Sequence, residues 1–88
     1  MLVRYFAAAR AATGMDEETL VHGGPISVSE LAEQLISLHP IAATPHAPDL
    51  AALLGRCSFL RNEVAVRSLE ALLDPDDVVD VLPPFAGG

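Results

Sequence analysis

The chain has 88 residues, with five arginines, no lysine and twelve acidic residues, and a net charge of −7 at pH 7. That balance argues against nucleic acid or an anionic membrane as partner and favours a basic protein surface. A chain this short buries only about 60% of its unfolded surface, enough for one core and too little for an internal active site. Although 51% of the residues are apolar, no run approaches the roughly 18 uninterrupted apolar residues of a membrane span. No basic n-region precedes an apolar segment at the start, so a cytoplasmic protein is expected.

Leu2-Val3-Arg4-Tyr5-Phe6 alternates as an opening strand, with Val3 and Tyr5 on one face and Arg4 on the other. Ala7 to Thr13 reads as a short alanine-rich helix stopped by Gly14, and Glu17 to Val21 as a second strand ended by Gly23-Gly24-Pro25. Ser27-Val28-Ser29-Glu30 is a capping box, with Ile26 and Leu31 as its hydrophobic staple. Val28, Leu31, Ala32, Leu35 and Leu38 follow on one helical stripe until Pro40, which makes this the core helix.

The stretch Pro40 to Pro48 holds three prolines and reads as a loop, followed by a short helix from Asp49 to Leu54 that Gly55 ends. Residues 56–62 and 63–66 read as strands. A Ser68–Leu73 segment, a turn at Asp74-Pro75-Asp76-Asp77 and a final strand Val78–Leu82 complete the domain.

Few residues in this chain carry chemistry of their own. His22, His39 and His46 lack metal-ligand spacing and are expected in exposed loops or at a helix end, and no metal is predicted. The lone Cys57 reads as a buried structural thiol. Ser58 has no His/Asp arrangement, and Gly23-Gly24 is a turn, not a nucleotide site, so the chain itself binds no cofactor and no ATP.

The C-terminal end differs from everything before it. Pro83 and Pro84 hold the backbone extended and remove two N–H groups, which predicts a semi-rigid stalk leaving the domain surface directly from the last strand. Phe85 is a candidate anchor, and Ala86, Gly87 and Gly88 are small enough for a narrow channel. The chain therefore divides into a domain over residues 1–82 and a tail over residues 83–88. A free carboxylate on Gly88 is inert toward nucleophiles until a partner using ATP converts it to an acyl derivative.

The order of these elements, with apolar first and last strands central and parallel, is that of a β-grasp. The expected architecture is an α+β, ubiquitin-like domain: a mixed sheet of four to five strands over one main helix, with short extra helices. Tyr5-Phe6-Ala7-Ala8-Ala9-Arg10 with Gly14, Ser27-Val28-Ser29-Glu30-Leu31, and Leu82-Pro83-Pro84-Phe85-Ala86-Gly87-Gly88 resemble the small subunit of molybdopterin synthase, a ubiquitin-like sulfur carrier. The resemblance spans nearly the whole chain. It departs at Pro75-Asp76-Asp77, where the family usually reads Asp-Gly-Asp, an exchange that would put an aspartate at a left-handed turn position.

The resemblance implies a non-catalytic subunit of a heterotetrameric sulfurtransferase. An E1-like adenylyltransferase would adenylate Gly88, a sulfur donor would turn it into a thiocarboxylate, and the large synthase subunit would use its sulfur in molybdenum cofactor biosynthesis. Pro83, Pro84, Phe85, Ala86 and Gly87 would enter the partner. Arg10 falls at the family's arginine position, while Phe6 and Leu82 share outward strand parity with Arg4 and Asp80; Phe6, Arg10 and Leu82 are therefore candidate partner-binding residues. Two other functions use the same features: a sulfur carrier for thiamine, cysteine or thionucleoside synthesis, and a ubiquitin-like interaction module.

Overall fold

The computed structural model describes residues 1–84; Phe85, Ala86, Gly87 and Gly88 lie outside the described residues. Strand β1 (Leu2–Tyr5) leads into helix α1 (Ala8–Thr13) and returns as β2 (Glu17–Thr19). Next come β3 (Ile26–Ser27), the long helix α2 (Val28–Leu38) and the short helix α3 (Leu50–Leu54). The chain finishes with β4 (Ser58–Arg61), β5 (Val64–Val66), β6 (Leu72–Leu73) and β7 (Val78–Leu82).

Five strands form one sheet in the order β2-β1-β7-β4-β5. The first and last strands pair in parallel at its centre, with Arg4 opposite Asp80 and Tyr5 opposite Val81. All other pairings are antiparallel. A second, two-stranded sheet joins β3 to β6, a pairing the sequence reading did not contain. Each of its strands has two residues, too few for an alternation to register.

Side-chain alternation along the central strands sends Val3, Tyr5, Val79 and Val81 to one face, where all four are buried. Helix α2 covers that face with Val28, Leu31 and Leu35, and Leu50, Leu53, Leu54, Phe59 and Leu73 close the core. The helix starts where the capping box predicted. The Ser27 hydroxyl accepts from the Glu30 amide at 3.0 Å, and the Glu30 carboxylate accepts from the Ser27 amide at 3.0 Å. Those bonds hold the Glu30 carboxyl below its ordinary range. Leu38, expected on the core stripe, is instead exposed in the last turn of the helix.

Gly14 ends α1 in the left-handed conformation at φ 75°, and a Cβ there would lie 2.8 Å from the Ala43 Cβ. The close approach shows what the proline-rich loop does: it lies over the end of α1, with the Ala43 amide donating to the Ala12 carbonyl. Asp49 is not the side-chain cap of α3, because its carboxylate accepts from the Ala42 amide at 2.6 Å and closes the loop.

Three further expectations are corrected. Strand β2 stops at Thr19 and leaves Val21 almost fully exposed. His22, expected in an exposed loop, is half-buried with Nε2 2.7 Å from Gln34 Oε1, and His39 lies at the end of α2 as expected but is largely covered, with Nε2 2.5 Å from Glu18 Oε2. No residue between Asp74 and Asp77 has positive φ. That turn closes by other means, with the Asp77 amide donating to the Asp74 carbonyl and the Asp77 carboxylate accepting from the Asp74 amide.

Candidate functional site

The face of the sheet opposite α2 is assembled by register. Leu2, Arg4, Val78, Asp80 and Leu82 have the outward parity of the two central strands. Cross-strand pairing adds Thr19 and Glu17 from β2 on one side, and Ser58 and Leu60 from β4 on the other. One row across this face therefore reads Glu17, Arg4, Asp80, Leu60 and Ala65. The row nearest the tail holds Leu82 and Ser58, with Phe6 following immediately after β1.

The centre of this face is polar. Arg4 donates from Nε and Nη2 to the two carboxylate oxygens of Asp80, at 2.5 and 2.9 Å, a bidentate fork. The Asp80 side chain is only 6% exposed, and that of Arg4 is 35% exposed. Leu2, Val78, Leu60, Leu82 and Phe6 around the pair are all half-buried. None of these side chains belongs to the core, so their partial exposure forms an apolar rim around a charged pair.

The tail leaves from the same strand. Pro83 continues the inward parity of Val79 and Val81 and is buried, whereas Pro84 is exposed. Pro83, expected as the first residue of the tail, is thus packed into the domain. Phe85, Ala86, Gly87 and Gly88 lie outside the described residues.

Of the three docking candidates, Phe6 and Leu82 lie at the tail end of the outward face. Arg10 sits apart on α1, exposed, with Asp16 as its ion-pair partner at 3.2 Å. It lines a shallow depression with Ala7, Ala11, Gly14 and Thr44, toward the proline-rich loop. The sequence reading missed Ala7, between Phe6 and α1, whose backbone holds φ 50° and ψ −123°. An alanine there carries strain of order 1–3 kcal/mol, and its chemical identity gives no sign of it.

Behind the face, the Tyr5 hydroxyl donates to Glu18 Oε2 at 2.5 Å, and His39 approaches the same oxygen. The Tyr5 and His39 rings pack edge to face, 5.9 Å apart. Burial, reinforced by the bond to Glu18, pushes the Tyr5 hydroxyl well above its ordinary range. Cys57 precedes β4 and is half-buried; burial pushes its thiol up, partly opposed by Arg56.

A mixed five-stranded sheet over one capped helix, with parallel central terminal strands and the C-terminus issuing from the middle strand, defines a ubiquitin-like β-grasp domain. The sequence profile of the ThiS family matches residues 3–88, and the chain belongs to that family. It is 34% identical over 88 residues to the molybdopterin synthase sulfur carrier subunit of Chlamydomonas reinhardtii, covering 98% of this chain and 95% of the relative. A Pyrococcus furiosus protein provisionally named molybdopterin converting factor, subunit 1, is 26% identical, with a TM-score of 0.73 over 96% of this chain and 95% of its own. A Helicobacter pylori structure of a complex of subunits 1 and 2 of molybdopterin-converting factor matches with a TM-score of 0.62 and 23% identity, covering 99% of this chain and 96% of that one. No helix among the described residues is long and apolar enough to cross a membrane.

Proposed function

We propose that this chain is the sulfur carrier subunit of a molybdopterin synthase, working in the cytoplasm. In this reading an E1-like adenylyltransferase uses ATP to convert the Gly88 carboxylate to an acyl-adenylate. A sulfur donor then displaces AMP and leaves a thiocarboxylate. The large synthase subunit receives Pro84, Phe85, Ala86 and Gly87 in a channel and directs the terminal sulfur at the cyclic pyranopterin precursor. Sulfur is the softer nucleophile, and it attacks carbon where the parent carboxylate does not. The acid, base and oxyanion groups belong to the partners.

The observation that carries the reading is where the tail originates. Strand β7 is the central strand, paired on both sides, and a chain leaving it starts from a fixed point beside a face whose apolar rim includes Leu82. A partner that docks on that face receives the terminus at a defined distance, which lowers the entropic cost of bringing Gly88 to a reacting centre. Likeness to the Chlamydomonas sulfur carrier subunit over nearly the whole chain supports the same conclusion.

The test is mass spectrometry of the C-terminal peptide after incubation with an adenylyltransferase, ATP and a sulfur donor. The wild-type chain is expected to gain the mass of one oxygen replaced by sulfur at Gly88. Deletion of Gly88, or Gly87→Val, should abolish that gain with the thermal midpoint nearly unchanged, because substitutions at a chain end generally cost little stability. Thiocarboxylate formation by either variant would refute the assignment.

A further inference from the structure

The Arg4–Asp80 pair lies in the middle of the face that the proposed function assigns to docking, and this inference rests on that assignment. The fold has no use for a charged pair there. Val3, Tyr5, Val79 and Val81, on the opposite face of the same strands, supply the core contacts, and an apolar pair would occupy the outward positions at equal or lower cost. A guanidinium has five N–H donors. Asp80 takes two of them, and the remaining three point to no acceptor among the described residues.

A purely apolar partner surface pressed onto this face would strip water from those donors and return nothing, a loss that counts against binding. The acceptor that relieves it is constrained by charge. Arg4 already has Asp80 as its ion-pair partner, Glu17 directly across the neighbouring strand, and Glu63 acting on it from the β4–β5 turn. A partner carboxylate would bring a further negative charge to a site with one cation and three anions. A neutral oxygen brings none.

We infer that Arg4, held by Asp80, is a specificity-determining residue of the docking face, and that it selects a large-subunit surface placing a neutral carbonyl or amide oxygen over the guanidinium within an apolar patch. Leu2, Leu60, Val78 and Leu82 supply the apolar contact. The bidentate grip of Asp80 fixes the plane of the guanidinium, so the free N–H groups have one orientation. The pair discriminates against surfaces that would fit the rim alone.

The experiment measures binding of the full chain to the large subunit from the same organism, by titration calorimetry, beside thermal melts. Arg4→Met with Asp80→Leu removes both charges and keeps the shape. This double variant is expected to melt at or above the wild-type temperature and to bind at least tenfold more weakly, because the partner's oxygen is left buried without a donor. Arg4→Lys, which keeps the charge but not the planar fork, should melt like wild type and also bind more weakly; it decides the matter if the double variant fails to fold. The deficit should persist at high salt, since a neutral acceptor is not screened.

Wild-type affinity in both variants would overturn the assignment of Arg4, and a deficit that disappears at high salt would overturn the neutral acceptor. Loss of binding in Leu82→Asp, with the Arg4 variants unaffected, would leave the docking face standing and remove Arg4 from it. A wild-type chain that neither binds the large subunit nor accepts sulfur would refute the proposed function, and this inference with it.

Discussion

The two faces of the central strands are made from alternate residues of the same segments, yet they are built to different rules. On the inner face, Val3, Tyr5, Val79 and Val81 are buried against α2 with 1% exposure or less. On the outer face, Arg4 and Asp80 form a forked ion pair within a half-buried apolar rim. The inner face is covered by the chain's own α2 together with α1, α3 and Leu73, and it is closed to anything outside the chain. The outer face is left open: its apolar rim is half-buried, and three N–H groups of Arg4 meet no acceptor among the described residues. One two-residue period thus separates what holds the fold from what is available to another molecule.

The largest expected effect breaks the inner face. Leu31→Ala leaves a cavity where α2 meets the sheet and should cost about 2–5 kcal/mol by denaturant unfolding. Affinity for the large subunit should be unchanged wherever the variant remains folded. On the outer face the opposite pattern is expected: Phe6→Ala should lower large-subunit affinity by about 1–3 kcal/mol with little change in melting temperature. If Phe6→Ala instead lowers stability and leaves affinity intact, Phe6 belongs to the core and the contrast fails at that residue.

A smaller effect tests the polar seam behind the sheet, where Tyr5 donates to Glu18 beside His39. Tyr5→Phe removes one buried hydrogen bond and should cost about 1 kcal/mol. Tyr5 is the chain's single tyrosine and tryptophan is absent, so alkaline absorbance reports this hydroxyl alone. Its ionisation is raised in the folded state by burial and by Glu18. The stabilisation is therefore complete below the unfolded value of about 10 and is lost as pH rises toward the folded one. Tyrosinate absorbance should appear only together with alkaline unfolding. Its appearance near pH 10 in a still-folded chain would contradict the buried hydrogen bond.

The smallest effect belongs to the turn that feeds β7. Burial pushes the Asp77 carboxyl up, but the Asp74 amide, Asn62 and Arg61 outweigh it and hold it below its ordinary value. A depressed carboxyl stabilises the fold above the unfolded value of about 3.9, and that contribution fades as pH falls below it toward the folded value. Asp77→Asn should accordingly lower the melting temperature at pH 7 and narrow its gap to wild type as the pH falls below about 4. A gap that is constant across that range would mean that the charge of Asp77 is not what closes the turn.

Much of this was legible in the chain because it depends on neighbours a few residues apart. Ser27 and Glu30 are three positions apart and cap each other within one turn of helix. Gly14 takes the left-handed conformation that ends α1, and Val78 to Leu82 forms the last strand where its alternation placed it. Parity alone also put Arg4, Asp80 and Leu82 on one face. Ala7 escaped notice because its strain lies in the backbone. The contacts of the half-buried His22 and His39 were not legible because their partners, Gln34 and Glu18, sit on other elements.

The sequence by itself determined the helix starts and stops, the strand alternation and the small-residue Gly-Gly end, since capping, proline chemistry and side-chain period act over one to four residues. Only the tertiary structure decided that Arg4 grips Asp80, 76 positions away, because that contact requires β1 and β7 to lie parallel in one register. The same holds for the β3–β6 pair, for Pro83 being buried while Pro84 is exposed, and for the loop that closes over Gly14. Each depends on which distant segment occupies the neighbouring position, and that is set by the packing of the whole core around α2.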